Sequence, residues 1–566
     1  MATTEPRAHA QAPAPQAAGQ THEVTNQPPP LVDYDTFTAD RPLVEALLRE
    51  GGEWAHAAVS AAGARAGSAE QQTWGREANE NPPRLRTHDR FGHRIDEVEY
   101  HPSYHALQKV AVEQALHALP WRERREGAHV ARAALFMTGG RAEAGVGCPT
   151  SMTYSVIPAL RTQPELAAEW EPLLTSTIYD PGLRHRSEKR GALAGMAMTE
   201  KQGGSDVRAN TTMAAPVNGG GPAAEYALTG HKWFCSAPMC DVFLVLAQAP
   251  GGLSCFLVPR ILDDGSRNRF HLQRLKDKLG NRSNASSEVE FRSAIGRLVG
   301  EEGRGVPTII EMVNHTRLDC VLGATAGMRA GVEQAIHHAT YREAFGKRLI
   351  DQPLMVNVLA DLAVESEAAT VAAMRLARSY DGAQVGDERE TLFRRLATPV
   401  LKYWTCKRAP WHAVESLECL GGNGYVEESG MPRLFRESPL NSIWEGSGNV
   451  QCLDTLRAMV KSPEALSVLL DEIGQSAGAD PRLDQAIASI QNELSDLEQM
   501  ETRARRVVER LALVLQASLL VRHGDPAVAD AFCASRLGGD WGHAFGTLPA
   551  GIDQRAIVDR HAPQLA

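Results

Sequence analysis

The sequence lacks an excess of positive charge and any long hydrophobic run. Its 566 residues carry a formal net charge of -10, so the chain as a whole offers no electrostatic attraction to nucleic acid or to an anionic membrane. No segment approaches the roughly 20 consecutive apolar residues that a membrane span needs. The first residues also lack the basic start and apolar core of a signal peptide. These absences predict a cytoplasmic protein that does not associate with membranes.

The sequence also lacks paired cysteines. Its nine cysteines are scattered, odd in number and never spaced as C-x-x-C. A disulfide framework or a zinc site would need clustered, regularly spaced ligands. The pattern predicts reduced, mostly buried thiols and no metal site.

The composition is that of an ordinary globular protein, with 43% apolar and 23% charged residues. The spacing of apolar residues and the frequency of turn-forming residues change along the chain, and these changes predict five segments. They are a disordered tail (1–30), an N-terminal helical domain (31–190), a β-domain (191–300), a C-terminal helical bundle (301–460) and an appended helical domain (461–566).

Periodicity is the basis for these assignments. Apolar residues recur every three or four positions in 105–119, which favours helices. Short β-rich runs such as 241–247 and 253–259 alternate with Gly, Pro and Asp turns. Long helical stretches of low polarity, such as 317–336, favour a bundle with buried seams. The predicted fold class is therefore mainly α with a central β-domain.

A glycine-rich stretch, M-A-M-T-E-K-Q-G-G-S-D (196–206), enters the β-rich segment. Its Gly203-Gly204-Ser205 turn leaves backbone N–H groups free to receive phosphate oxygens. Taken alone, the same turn is explained equally well as a structural loop with an Asp cap.

Five further motifs follow it in order. They are G-H-K-W-F-C-S (230–236), G-E-E-G-R-G (300–305), Y-R-E-A-F-G-K (341–347), L-G-G-N-G-Y (420–425) and I-W-E-G-S-G-N (443–449). Together the six resemble the acyl-CoA dehydrogenase family. The resemblance implies a helical domain, a β-barrel domain and a helical bundle, with FAD bound in a homotetramer.

The resemblance also implies which residues contact FAD. Thr199 and the segment from Phe234 to Ser236 would contact the flavin ring, Ser205 would lie near the pyrophosphate, and Arg342 and Phe345 would contact the FAD of a neighbouring subunit. The full set of cofactor-binding positions implied by the motifs is Met196, Thr199, Gly203, Gly204, Ser205, Phe234, Cys235, Ser236, Arg342, Phe345, Gly421, Gly422, Ile443, Trp444, Gly446, Ser447 and Asn449.

Glu445 stands where the family keeps its catalytic base. A base for this chemistry must be close to the substrate, desolvated and ionised at working pH, and an apolar pocket beside Ile443 and Trp444 would raise the pKa of Glu445. The alternative is a structural carboxylate that binds nearby N–H groups. Arg457 either reaches Glu445 and neutralises it or is an ordinary helix-surface arginine.

Four phrases match the AidB-type branch of the family closely: T-N-Q-P-P-P-L (25–31), M-T-E-K-Q-G-G-S-D-V (198–207), L-K-D-K-L-G-N-R-S-N-A-S (275–286) and N-S-I-W-E-G-S-G-N (441–449). This resemblance implies an FAD-binding protein that binds double-stranded DNA through its C-terminal domain and protects it during alkylation stress, with weak or no dehydrogenase activity. The alternative is a genuine acyl-CoA dehydrogenase that uses Glu445 as its base.

The C-terminal segment gives the DNA hypothesis mixed support. Residues 461–566 contain 10 Lys or Arg and 15 Asp or Glu, the wrong balance for phosphate-driven affinity. Arg503, Arg506 and Arg510 nevertheless share one helical face with Arg505 beside it. This group is either a DNA-binding stripe or a solvated face compensated by glutamates.

Overall fold

A computed structural model describes residues 21–496, 498–540 and 542–564. Most of the predicted disordered tail, residues 1–20, lies outside the described residues. Residues 21–30 form neither helix nor strand, but they contact the body of the protein, since His337 shares a 2.7 Å hydrogen bond with the carbonyl oxygen of Pro29.

The first part of the chain is built mainly from helices. Proline or a capping side chain begins several of them, as where the Asp40 carboxylate accepts from the Leu43 N–H of the first helix. The helices are α1 (Arg41–Arg49), α2 (His56–Ala66), α3 (Ala69–Glu80), α4 (Pro102–Glu113), α5 (Leu119–Arg122), α6 (Ala128–Gly139), α7 (Gly147–Leu160) and α8 (Pro164–Leu174).

A two-stranded hairpin lies between α3 and α4, in a segment that the sequence analysis assigned to a helical domain. Its strands, β1 (Arg84–His88) and β2 (Arg94–Glu99), pair antiparallel. Strands of five and six residues give too short a periodic pattern to be distinguished from a loop in the sequence.

The β-rich segment forms a seven-stranded sheet. Most neighbours are antiparallel, with β3 parallel to β6, and the pairing of β6 with both β4 and β7 closes the sheet into a barrel. The strands are β3 (Ala194–Ala197), β4 (Met213–Pro216), β5 (Glu225–Ser236), β6 (Val242–Ala249), β7 (Gly252–Pro259), β8 (Phe270–Leu275) and β9 (Ser286–Val299).

Three long helices form most of the bundle that follows the β-domain, and they contain residues of the candidate active site. More than half of the residues of each helix are buried, as expected for helices inside a bundle. The three are α9 (Gly305–Tyr341), α10 (Pro353–Gln384) and α11 (Glu388–Glu418). The hairpin strands β10 (Glu343–Ala344) and β11 (Lys347–Arg348) lie between α9 and α10, and the shorter helices α12 (Met431–Glu437) and α13 (Gly448–Lys461) follow α11.

The last helices share a hydrophobic core with α10 and α11. Arg536, fully buried, pairs there with Asp361 at 2.5 Å and Glu365 at 3.1 Å, both on α10. The C-terminal segment is thus joined to the bundle by apolar packing and by a buried ionic cluster. Its helices are α14 (Pro463–Gly474), α15 (Pro481–Ser495), α16 (Met500–His523), α17 (Pro526–Phe532) and α18 (Gln554–His561).

A search of the described residues for a helix long and apolar enough to cross a membrane finds none.

We expect Arg536→Met to destabilise the protein by about 3–5 kcal/mol at pH 7, since it removes the cation that pairs with the buried Asp361 and one of the two cations that pair with Glu365. Burial alone would raise the pKa of Glu365, but Arg408 and Arg536 lower it to about 2. The stabilisation is therefore complete above pH 4.5 and is lost as the pH falls towards 2. Urea unfolding at several pH values should show the two proteins converging in acid, whereas the half-exposed Arg555→Met should differ little at any pH.

Candidate active site

Glu445 occupies a turn immediately before α13, where its backbone adopts φ 58°, an uncommon conformation for a residue with a side chain. Buried donors fix this turn. Arg317 Nε donates to the Glu445 carbonyl oxygen at 3.0 Å, and Gln451 Nε2 donates to the same oxygen at 3.1 Å. Lys402 Nζ donates to the Trp444 carbonyl at 2.7 Å and also to that of Gly446. The turn is therefore positioned by α9, α11 and α13 together.

The Glu445 carboxyl group has one close hydrogen-bond donor. Thr316 Oγ1 on α9 donates to Glu445 Oε2 at 2.6 Å. Burial raises the pKa of Glu445, and the Thr316 hydrogen bond and the charges of Lys402 and Arg317 oppose this effect. A desolvated carboxylate held by one hydroxyl has the properties of a general base.

The residues that position Glu445 were missed by the motif analysis. Thr316, Arg317 and Lys402 lie inside long helices and belong to no recognisable motif, so only their proximity in the fold identifies them. Arg457 is 4.0 Å from Asp454 and its side chain is 62% exposed, so the helix-surface interpretation of this residue is correct. Within the part of the chain that the structure describes, no group of three or more His, Cys, Asp or Glu side chains could hold a metal ion.

The Gly203-Gly204-Ser205 turn is organised by a buried ion pair that the motif analysis also missed. Glu200 Oε1 lies 2.8 Å from Lys232 Nζ, and both side chains are completely buried. A Cβ atom on Gly204 would lie 2.4 Å from Thr199 Oγ1, so only glycine fits there. The predicted phosphate-binding turn is therefore rigidly attached to the start of the barrel.

The two motifs that enter the barrel lie side by side. The Trp233 N–H donates to the Thr199 carbonyl at 2.8 Å, which aligns the glycine turn with the end of β5. Phe234 is 50% exposed, whereas Cys235 is fully buried, so the Cys235 side chain faces the barrel core. Met196, on β3, is also buried. Phe234 and Ser236 consequently share the outer face of this strand.

Cys148 on α7 connects the barrel with the Glu445 turn. Burial raises the pKa of its thiol to about 11, the Ser236 hydroxyl hydrogen-bonds it, and the Glu445 charge also acts on it. Ser236 Oγ in turn lies 3.2 Å from Ser286 Oγ on β9. The structure thus brings the β5 end and the predicted base to the same region.

Residues 443–449, on either side of Glu445, differ in exposure, hydrogen bonding and backbone conformation. Ile443 is 63% exposed, so in the single chain it does not form the apolar wall that the sequence suggested. Trp444 Nε1 donates to Asn441 Oδ1 at 3.0 Å, which fixes the indole. Gly446 has φ 96°, and Ser447 immediately precedes α13. Asn449 is exposed and accepts a hydrogen bond from Arg505.

A second group of predicted positions lies far from Glu445. Arg342 ends α9, about 40 Å from Thr316 along a helix that rises 1.5 Å per residue. Phe345 is completely exposed at the tip of the β10–β11 hairpin. Gly421 and Gly422 follow α11 in a short turn that has room for added side chains. Within one chain these residues and Glu445 cannot act on the same small molecule.

The four arginines predicted to bind DNA cluster on α16. Arg503, Arg506 and Arg510 each pair with Glu493, whose side chain is 9% exposed, at distances from 2.5 to 3.9 Å. Arg505 instead donates to the neutral Asn449 at 2.8 Å. Three guanidinium groups therefore gather around one largely buried carboxylate, and Arg503 also lies 3.3 Å from Asp496.

Comparison with known proteins agrees with this geometry. Residues 26–181 match the model of the adaptive response protein AidB N-terminal domain, residues 195–294 the acyl-CoA dehydrogenase middle domain, and residues 303–460 the acyl-CoA dehydrogenase C-terminal domain. The chain is also 46% identical over 516 residues to the AidB protein of Escherichia coli (strain K12), which carries acyl-CoA dehydrogenase in its name; the match covers 91% of this chain and 94% of that protein.

The chain belongs to the AidB-type branch of the acyl-CoA dehydrogenase family. Among solved structures, that of Caenorhabditis elegans ACDH-11 in complex with C11-CoA has a TM-score of 0.81 at 26% identity and covers 97% of both chains. An acyl-CoA dehydrogenase from Bacillus anthracis complexed with FAD has a TM-score of 0.60 at 20% identity and covers 77% of this chain and 78% of that one. The acyl-CoA dehydrogenase fold, with its helical domain, barrel and bundle, is thereby established.

We expect Lys402→Met to destabilise this acyl-CoA dehydrogenase-type site by about 1–3 kcal/mol for each carbonyl group that loses its buried donor. Lys402 is 1% exposed and donates to two carbonyls of the Glu445 turn. Denaturant unfolding measures the loss. Lys461→Met, at the exposed end of α13, should change stability by less than about 0.5 kcal/mol; an equal effect of the two substitutions would contradict the role given to Lys402.

Proposed function

We propose that the protein binds FAD and dehydrogenates an acyl-CoA between its α and β carbons, with Glu445 as the base. The observation that carries the proposal is the Glu445 carboxyl group, which is desolvated, close to one hydroxyl donor and supported by a fixed backbone turn. A structural loop carboxylate would be expected to accept from backbone N–H groups, whereas the Glu445 carboxylate accepts from the side-chain hydroxyl of Thr316.

The residues of the barrel edge fit FAD. The tight approach of Gly204 to Thr199 leaves a turn without side chains where phosphate oxygens can approach N–H groups. Phe234 and Ile443, exposed by 50% and 63%, offer apolar surface that a flat ring system would cover. When bound there, FAD would supply the acceptor for the hydride that leaves the β carbon.

The side chains around Glu445 then have defined tasks. The Glu445 carboxylate takes the proton from the α carbon, and Thr316 orients its Oε2 atom. Lys402 and Arg317 favour the ionised form of this carboxyl group and so limit the rise in pKa that burial causes. Trp444, fixed by Asn441, supports the turn from the side.

A second copy of the chain completes the cofactor site in this proposal. Arg342 and Phe345 lie too far from Glu445 to serve the same FAD, and Phe345 is completely exposed. An exposed aromatic side chain at a hairpin tip beside a guanidinium group suits contact with a neighbouring subunit's nucleotide. This arrangement supports the homotetramer expected from the family resemblance.

We expect Glu445→Gln to slow bleaching of the flavin by acyl-CoA about 10²- to 10⁴-fold, because the general base is lost. The FAD content should stay unchanged, since the amide is nearly isosteric. Anaerobic absorbance measurements with acyl-CoAs of varied chain length test this, with the exposed Glu464→Gln as control. If no acyl-CoA bleaches the wild-type flavin, the dehydrogenase proposal is wrong; a colourless protein that does not take up FAD would refute the cofactor assignment.

Binding of double-stranded DNA is the second candidate function. It rests on the group of Arg503, Arg505, Arg506 and Arg510 on α16, of which three pair with Glu493 and Arg505 pairs with no carboxylate in the described residues but donates to Asn449. Arg505 and Arg506 are exposed. Repetition of such a group on several subunits would supply the multiple phosphate contacts that useful affinity needs.

We expect Arg503→Ala combined with Arg506→Ala to weaken binding to a labelled DNA duplex. Each lost phosphate contact should reduce the slope of log affinity against log salt by about 0.9. Fluorescence anisotropy at several salt concentrations measures both effects. The pair Arg389→Ala and Arg555→Ala removes the same charge elsewhere; similar losses from both double variants would exclude a specific site on α16.

A further inference from the structure

An inner cavity lies between α4, the segment 176–193 and the turn after β5. It has a volume of about 70 Å³, several times the roughly 10–15 Å³ that one water requires. Pro149 on α7 contributes to its lining. The other principal lining residues are Tyr100, Tyr104, Gln108, Met239 and Cys240.

An outer cleft of about 500 Å³ adjoins this inner cavity. The two spaces share His105, Ile178, Tyr179 and Pro181 in their walls. His105 Nδ1 and Tyr179 Oη are 2.7 Å apart, so this hydrogen-bonded pair separates the cavity from the cleft. If the pair parts, the combined space falls within the roughly 300–1,000 Å³ typical of small-molecule sites.

Gln108 supplies an unsatisfied polar atom to the inner cavity. Its side chain is on α4 and the residue is 1% exposed. Nε2 donates to Thr150 Oγ1 at 3.3 Å, which leaves Oε1 as the other end of the amide, and Oε1 has no hydrogen-bond partner among the described residues. A buried acceptor without a donor costs about 1–3 kcal/mol. A ligand with a hydroxyl group would remove this cost.

Aromatic rings form one wall of the same cavity. Tyr100 and Tyr104 stack with their centroids 4.2 Å apart and their planes 15° from parallel. His105 meets both rings edge-on. An aromatic ligand would extend this cluster through stacked or edge-to-face contacts, which are worth about 0.5–1.5 kcal/mol beyond the buried area.

The wall opposite α4 is held in place. Lys189 Nζ lies 3.0 Å from Asp241 Oδ1 and donates to the Gly182 carbonyl at 2.9 Å. These contacts attach the segment 176–193 to the barrel turn after β5. Opening of the entrance therefore requires the hydrogen bond between His105 and Tyr179 to break, while these contacts hold the backbone of the segment.

We propose that the inner cavity is a binding site for a small phenol, whose ring packs against Tyr100 and Tyr104 and whose hydroxyl group donates to Gln108 Oε1. The phenol enters from the outer cleft past the His105–Tyr179 pair. Glu445 is not among the residues that line this cavity.

Phenol and its methyl ether, anisole, test the proposal by isothermal titration calorimetry on the full-length protein with its cofactor. Phenol should bind saturably and about three- to tenfold more tightly than anisole, because only phenol can donate the hydrogen bond. Gln108→Leu should abolish this preference. Gln516→Leu is the matched control, since Gln516 is equally buried and its Oε1 also lacks a partner, but it lies on α16.

Tyr179→Phe gives a second measurement that leaves Gln108 intact. Loss of the Tyr179 hydroxyl removes the bond to His105, so phenol should associate and dissociate faster in stopped-flow experiments. The proposal is overturned if phenol does not bind saturably, if anisole binds as tightly as phenol, if Gln516→Leu removes the preference as Gln108→Leu does, or if Tyr179→Phe leaves both rates unchanged.

Discussion

Donation from buried cationic side chains to backbone carbonyls is the interaction on which the candidate active site depends. Arg317 and Lys402, from two different long helices, donate to consecutive carbonyl groups of the turn that carries Glu445. The turn contains a residue with positive φ, a conformation that persists only when its surroundings determine it. The same two cations influence the pKa of the Glu445 carboxyl group. Arg317 and Lys402 therefore both position Glu445 and influence its protonation.

The barrel side of the site follows a similar principle. Glu200 and Lys232 are completely buried as a pair, and Glu200 also accepts from the Thr211 N–H at 2.7 Å. The glycine turn is thus attached to a rigid, buried ion pair. The apolar side chains that would contact a flat cofactor remain at the surface. Cys148 on α7 lies close to both halves of the site, since Ser236 and the charge of Glu445 both influence the pKa of its thiol.

Much of the architecture follows from periodic patterns in the sequence. Helical spacing and β-rich runs predicted a mainly α fold with a central β-domain, and the motifs placed the chain in its family; the structure and comparisons confirm both. The β1–β2 hairpin was missed because its strands are too short to show a clear period. Cys235 illustrates another limit, since a motif names a segment, whereas the pleat of β5 decides that its side chain faces the core.

By itself, then, the sequence determined the order of the elements, the family and the position of Glu445, because these depend on local spacing and on contiguous motifs. Only the tertiary structure decided that Thr316, Arg317 and Lys402 support Glu445, that Arg457 points to solvent, and that Glu493 lies among the arginines of α16. Such contacts join residues that are distant in the chain. No local pattern encodes them, because they arise only when separate helices pack around a common core.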